Sequence, residues 1–91
     1  MKYVVISYDI SDDKKRNKVA NMLLDYGTRV QHSVFECLID TKTLENLVER
    51  LKPLPEKNDS IRIYQICETC LKKVVLLGKA ELTKEAAFHI V

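Results

Sequence analysis

The sequence predicts an α+β fold in which two helices pack on one face of a four-stranded sheet. Segments rich in β-branched and aromatic residues alternate with two segments of helical periodicity. Their order is strand, helix, strand, strand, helix, strand, with one extra strand appended. Because two helices cannot cover both faces of the sheet, the other face needs a partner. Since right-handed crossovers are strongly preferred, we expect a ferredoxin-like βαββαβ sandwich with an extra C-terminal strand, assembled as a homodimer.

Size and composition are those of one globular domain. The chain has 91 residues, of which 46% are hydrophobic and 31% charged. We expect a domain over residues 1–78 and a C-terminal tail over residues 79–91. The net charge of +2 is too small to identify a nucleic-acid binder, so that function depends on where the basic residues lie. The longest apolar runs are strand-sized, which predicts no membrane span. Three cysteines, an odd number, fit a reducing cytoplasm better than a disulfide framework.

The first strand is the run KYVVISYD, from Lys2 to Asp9, and it ends abruptly at a carboxylate. Its nearly continuous apolar residues predict a strand in the middle of the sheet. Asp9 should therefore lie at the carboxyl end of a central strand, beside the start of a helix, where ligands often bind in α/β proteins. A loop aspartate that caps the next turn is the alternative.

The remaining elements follow from caps and periodicity. Ser11 is the predicted N-cap of a helix from about Asp12 to Tyr26, with Gly27 as its stop. Two short strands are predicted between Thr28 and Ile39, separated by the polar trio Gln31 to Ser33, with a single bent strand as the alternative because no Asn-Gly or Asp-Gly pair fixes a turn. Asp40 caps a second helix that Pro53 and Pro55 end. The last two predicted strands are Ser60–Cys67 and Leu71–Leu77.

Asp9 is the candidate metal ligand, because Mg²⁺ is commonly held by one or two carboxylates together with water and phosphates. In a symmetric dimer, a residue near the two-fold axis supplies its side chain twice. Asp12 and Asp13 are rival ligands, although charges at a helix start ordinarily complement the helix dipole.

The basic residues cluster around the first helix and could follow a phosphate backbone. A solvated helix face is the ordinary alternative. Phe35 could stack on a base, although a lone phenylalanine in a strand is usually a core residue. The basic cluster consists of Lys14, Lys15, Arg16, Lys18 and Arg29.

Cys67 and Cys70 form the motif CETC, which suggests a zinc or redox site. A structural zinc ion needs four ligands, and the other candidates, Cys37, His32 and His89, do not lie at a paired spacing. Reduced cysteines in or near strands are the alternative.

The segments YVVISYDI, SDDKKRNKVANMLLDYGTRVQHSVFECLI, DSIRIYQIC and VVLLG resemble a known family. It is the CRISPR-associated endoribonuclease of the second core Cas family, the small adaptation protein that partners the integrase. The resemblance covers residues 1–78, and its most specific parts are the YD pair, the Gly-x-Arg-x-Gln turn and the SVFE segment.

The resemblance implies a homodimer in which two Asp9 carboxylates face each other and share Mg²⁺, with Mn²⁺ as a substitute. It also implies that the last strand pairs with the sheet of the other subunit. The expected catalytic and metal residue is Asp9. Lys18 stands where an arginine can occur, so the charge is kept but the bidentate fork is lost. The expected substrate-binding residues are Tyr8, Arg16, Lys18, Arg29 and Phe35.

The implied function is a scaffold in spacer acquisition that holds duplex DNA with the integrase and cleaves RNA or DNA phosphodiesters in a metal-dependent reaction. Three alternatives stay open: a catalytically silent scaffold, a toxin-like messenger-RNA endoribonuclease of related fold, and a small metallochaperone suggested by CETC. The apolar end of the tail, from Ala86 to Val91, suggests that the tail docks the integrase or covers the dimer's own sheet edge.

Overall fold

The structure is a computed structural model that describes residues 1–80. Four antiparallel strands form one sheet in the order β2-β3-β1-β4. The βαββαβ order confirms the ferredoxin-like prediction. No helix within the described residues is long and apolar enough to cross a membrane. The elements are β1 (Lys2–Asp9), α1 (Asp13–Leu24), β2 (Gly27–Gln31), β3 (Val34–Ile39), α2 (Thr41–Leu51), β4 (Ser60–Ile66) and α3 (Glu68–Leu71).

The main core lies between the sheet and helices α1 and α2. Because side chains alternate along a strand, Val4, Ile6 and Tyr8 of β1 point toward the helices, and all three are buried. The same alternation brings Phe35, Cys37 and Ile39 of β3 into this core. The largest fully buried side chains are Phe35, Ile6, Leu23, Leu47, Val4, Val19 and Cys37.

The opposite face of the sheet, which we call the open face, carries a smaller apolar cluster. Tyr3 and Leu71 are buried there, and Val5, Leu38 and Ile66 pack against them. Leu71 reaches the sheet because the short helix α3 turns back after β4. The rest of the open face is less covered, and Tyr64 of β4 is 50% exposed.

The predicted start and stop of α1 are each shifted. Asp12, and not Ser11, is the N-cap, because its carboxylate accepts a hydrogen bond from the Lys15 backbone N–H at 2.8 Å. Gly27 does not end the helix but begins β2. A Cβ atom at Gly27 would lie 2.6 Å from the sulfur of Cys37, so this glycine is needed for close contact between β2 and β3.

The predicted strand over Leu71–Leu77 is not formed in the described chain. Leu71 ends helix α3, and residues 74–77 have no regular structure. Val75 and Leu77 are 78% and 80% exposed. A strand needs a neighbour to pair its backbone N–H and C=O groups, and no strand within residues 1–80 pairs with this segment.

Candidate functional site

Asp9 lies where the sequence predicts it, at the carboxyl end of the central strand β1 and four residues before α1 begins. Its register partner on β4 is Ser60. Since Tyr8 points into the helix-side core, alternation directs Asp9 toward the open face. Its side chain is exposed, so this carboxylate is available to a ligand from outside the chain.

The backbone that follows Asp9 is held by Arg16. The Nη1 atom of Arg16 donates a hydrogen bond to the carbonyl of Ile10 at 3.0 Å. Its Nη2 atom pairs with the carboxylate of Asp13, one turn earlier on α1. Arg16 therefore connects the start of the helix to the residue next to Asp9, and part of its hydrogen-bonding capacity is used within the chain.

Asp59, just before β4, holds the same loop from the other side. Its carboxylate accepts hydrogen bonds from the backbone N–H of Glu56 at 3.0 Å and from the N–H of Ser11 at 3.2 Å. These donors lower the pKa of Asp59, with the Glu56 N–H as the larger cause. An ion pair between Lys15 of α1 and Glu56 adds a second link, between α1 and the loop that precedes β4. The loop after Asp9 is thus fixed by side chains from two elements.

The turn between β2 and β3 approaches the end of β1 as well. The carbonyl of His32 accepts hydrogen bonds from Nε and Nη2 of Arg29 at 2.9 and 2.5 Å, and from the hydroxyl of Tyr8 at 3.4 Å. The backbone N–H of Tyr8 also donates to the carbonyl of Ser33 at 3.1 Å. Arg29 and Tyr8 therefore position the hairpin tip near Asp9.

Phe35 and Tyr8 are core residues in this structure. Phe35 has 0% exposure and Tyr8 has 4%, and their rings lie 6.3 Å apart in a stacked arrangement. The guanidinium of Arg29 lies over the Phe35 ring at 5.7 Å. A fully buried ring offers no surface to a base, so the expectation that Phe35 stacks on substrate is incompatible with its position here. Tyr8 contacts the β2–β3 hairpin from the core, through the hydrogen bond of its hydroxyl to His32.

The other candidate residues of α1 divide into two groups. Asp12 caps the helix and Asp13 pairs with Arg16, as the helix-start interpretation predicts. Lys14 and Lys18 are exposed, lie one turn apart on the same face of α1, and belong to no ion pair within residues 1–80.

The cysteines do not form a metal centre with other ligands. Residues 1–80 contain no group of three or more His, Cys, Asp and Glu side chains placed to hold an ion. Cys37 is buried in the core, and burial raises its pKa to about 11. Cys67 and Cys70 are exposed, Cys67 between β4 and α3 and Cys70 within α3. His89 lies outside the described residues.

A family match accounts for this combination of fold and site. The sequence profile of the family described as CRISPR associated protein Cas2 matches residues 1–74. The chain belongs to the Cas2 family. A relative named CRISPR-associated endoribonuclease Cas2 3, from Synechocystis sp., is 41% identical over 88 residues, which cover 96% of each chain.

Solved structures of Cas2-family proteins have the same fold. Streptococcus pyogenes Cas2 matches with a TM-score of 0.71 at 34% identity, covering 84% of this chain and 99% of that chain. A chain in a partial Cas6-RT-Cas1–Cas2 complex matches with a TM-score of 0.66 at 32% identity, covering 85% and 91%.

In this Cas2-family chain, sequence reasoning missed Asp59 and the backbone carbonyls of Ile10 and His32. Carbonyl groups leave no signal in a sequence, because every residue has one. Asp59 follows Asn58 at the entrance of a predicted strand, a pattern typical of an aspartate that binds turn backbone. That pattern could have identified its role.

Proposed function

We propose that this chain acts in CRISPR adaptation as a homodimeric scaffold for the integrase and duplex DNA, with metal-dependent nuclease activity at Asp9. Family membership supports the adaptation role, and a similar chain occurs in a complex whose name includes Cas1. The names endoribonuclease and endonuclease among relatives support the cleavage of phosphodiesters, with single-stranded RNA and duplex DNA as the substrates to compare. The carboxylate of Asp9, exposed at the end of a central strand, is the observation that carries the nuclease proposal.

The donor set fits a partly hydrated divalent ion. One chain supplies a single carboxylate at this position, and Mg²⁺ accepts one or two carboxylates with water completing its octahedron. Two Asp9 residues related by a two-fold axis across the open face would supply both. When bound, Mg²⁺ or Mn²⁺ would activate water and stabilise negative charge on the phosphate.

The residues around Asp9 contribute position. Arg16 and Asp59 fix the backbone of Ile10 and Ser11, so the carboxylate has a rigid support on its C-terminal side. Arg29 and Tyr8 fix the hairpin beside it. Rigid support matters because a small displacement of a reacting group costs a large fraction of its effect.

The decisive experiment compares cleavage of single-stranded RNA and duplex DNA by wild type and Asp9→Asn in Mg²⁺, Mn²⁺ and EDTA. Loss of a residue that only hydrogen-bonds to a metal ligand typically costs roughly 10- to 100-fold in activity. Because Asp9 would be a ligand itself, we expect Asp9→Asn to reduce cleavage by more than this. Asp25→Asn, at the opposite end of α1, is the matched control and should cleave normally. Undiminished cleavage by Asp9→Asn would assign the activity to another site.

A second measurement separates metal binding from activity. Two facing carboxylates repel each other without a cation, so Asp9→Asn should melt at the same temperature as wild type or higher in EDTA. Mg²⁺ should raise the melting temperature of wild type only.

A catalytically silent scaffold is the second candidate, because the adaptation role that family membership supports does not require cleavage. Wild type that binds duplex DNA and integrase but cleaves nothing in any metal would support it.

A further inference from the structure

Two exposed cysteines occupy one tight turn at the end of the sheet. Cys67 follows the last residue of β4 and is the N-cap of α3, and Cys70 lies inside that helix. Both are exposed and reduced, whereas Cys37, the third cysteine, is buried. The two thiols therefore differ from Cys37 in their access to small reagents in solution.

The turn brings the two cysteines into direct contact. The backbone N–H of Cys70 donates a hydrogen bond to the sulfur of Cys67 at 3.3 Å. The Leu71 N–H donates to the Cys67 carbonyl at 2.9 Å and closes the turn. The end Cα atoms of a four-residue turn lie within about 7 Å, close to the range of about 4.4–6.8 Å found for disulfides. Closing an S–S bond thus needs side-chain rotation and little movement of the backbone.

The contacts also make the two sulfurs chemically unequal. Hydrogen bonds from the N–H and thiol of Cys70 stabilise a thiolate at Cys67 and lower its pKa. Because Cys70 donates its proton to Cys67 and lies beside that negative charge, its own pKa is raised. A thiol with a lowered pKa next to a thiol with a raised pKa is the arrangement of an attacking and a resolving cysteine.

We propose that Cys67 and Cys70 are a redox-active dithiol that small-molecule disulfides of the glutathione type convert to an intramolecular disulfide. The Cys67 thiolate attacks one sulfur of the reagent, which breaks its S–S bond and releases one thiolate. Cys70 loses its proton and attacks the Cys67 sulfur of the mixed disulfide, which expels the second thiolate. The protein loses two electrons and two protons, and the reagent is reduced to two thiols.

The position of this dithiol gives the reaction a structural effect. Leu71 follows Cys70 directly and packs on Tyr3 of the open face. The exposed apolar segment from Val74 to Leu77 comes next in the chain. A disulfide would restrict the backbone of the turn that precedes Leu71 and the apolar segment. The oxidation state of the two cysteines therefore controls the mobility of the segment relative to the sheet.

The test titrates the reduced full-length chain with mixtures of reduced and oxidised glutathione, followed by acid quenching, intact mass and peptide mapping. We expect two of the three thiols to disappear together at one glutathione ratio, with a Cys67–Cys70 disulfide as the product. Cys37 should become alkylated only after unfolding. Because the readout is thiol chemistry, it is independent of nuclease activity.

Single variants identify the roles of the two sulfurs. Cys70→Ser should stop at a glutathione adduct on Cys67, and Cys67→Ser should react severalfold more slowly at Cys70. Cys37→Ser is the matched control and should oxidise like wild type. Separate adducts on both cysteines without ring closure, faster reaction at Cys70, or a stoichiometric zinc ion that protects both thiols would each overturn the proposal.

Discussion

Tyr8 and Asp9 are neighbours in sequence but contribute to different parts of the molecule. Tyr8 is 4% exposed and packs in the core, whereas Asp9 is exposed at the end of the same strand. The hydroxyl of Tyr8 reaches the carbonyl of His32, which ties the β2–β3 turn to the strand that carries Asp9. Tyr8 therefore stabilises the end of the strand, and Asp9 exposes its carboxylate to solvent.

The buried ring of Phe35 should contribute strongly to the stability of the core. Phe35→Ala should lower the free energy of unfolding by about 3–5 kcal/mol, because it leaves a cavity in the core and removes the ring beneath Arg29. Urea unfolding followed by circular dichroism measures the loss.

The milder Phe35→Leu separates packing from substrate contact. It should retain the fold and bind duplex DNA with unchanged affinity, since the ring is fully buried. Loss of DNA binding in folded Phe35→Leu would restore the base-stacking interpretation.

The sequence could predict the position of Asp9 but not the depth of Phe35. An apolar run that ends at a carboxylate indicates a strand terminus. The run YVVISYD lacks clear alternation, however, so the sequence does not say which face meets the helices. In the folded chain, Ile6 pairs with Phe35 and Ile63 on the neighbouring strands. These three side chains therefore share one face, and that face packs against the helices.

Helix α2 gives a prediction at the scale of one element. Hydrogen bonds from the Thr43 hydroxyl and backbone N–H lower the pKa of Asp40, its N-cap, below the usual value near 3.8. A carboxyl whose pKa is lower in the folded state stabilises the fold above its unfolded pKa and loses that effect as pH falls.

Asp40→Ala should therefore unfold at a lower temperature than wild type at pH 7. The difference should shrink as pH falls below about 4, where the wild-type carboxyl becomes protonated. Asp40→Asn is the control, because asparagine caps a helix without titrating. A difference between Asp40→Ala and wild type that does not change with pH would contradict the role of the charge.

Elements with purely local signals were predicted well, and those that depend on other parts of the chain were not. Asp40, the periodic leucines and Pro53 define α2 by themselves, and the last two residues of the polar trio, His32 and Ser33, separate β2 from β3. Ser11 is the predicted cap of α1, but Asp12 caps the helix, because its side chain reaches the Lys15 N–H. The segment from Val74 to Leu77 has the composition of a strand but no neighbour in the described chain.

At the scale of the whole molecule, the open face predicts a homodimer. Tyr3, Val5, Leu38 and Ile66 form an apolar cluster there. The hydroxyl of Tyr3 and Oε1 of Glu36 are buried without a hydrogen-bond partner among the described residues. Burial and the neighbouring Glu36 carboxylate raise the pKa of Tyr3. A second copy would cover the cluster, and we expect its interface to bury well above about 1,000 Å².

Two equally exposed side chains make a matched test of this dimer. Tyr64 on the open face is 50% exposed, and Leu24 on α1 is 53% exposed. Tyr64→Lys should raise the dimer dissociation constant about tenfold or more, whereas Leu24→Lys should leave it unchanged. Light scattering should give twice the 10.5 kDa chain mass for wild type. A wild-type monomer at micromolar concentration would reject the dimer.

The unpaired lysines of α1 predict how the proposed dimer holds DNA. Lys15 and Arg16 are engaged by Glu56 and Asp13, so Lys14 and Lys18 are the stronger candidates for binding phosphates. Lys14→Glu/Lys18→Glu should weaken duplex binding and reduce its salt dependence, by about 0.9 in log–log slope for each phosphate that is no longer neutralised.

Lys42→Glu/Lys52→Glu, in the first turn of α2 and at its C-cap, carries the same change in net charge and should have a smaller effect. Fluorescence anisotropy at several salt concentrations measures the slopes. Equal weakening by the two double variants would show that net charge, and not a surface on α1, controls binding.

The central place of β1 has a consequence for how the protein is made. β1 leaves the ribosome before its neighbours β3 and β4, and β4 begins only at Ser60. Until β4 is synthesised, one edge of an apolar strand stays unpaired and can join a strand of another nascent chain. A polypeptide truncated before Ser60 should therefore aggregate, because it lacks β4, the strand that pairs with one edge of β1.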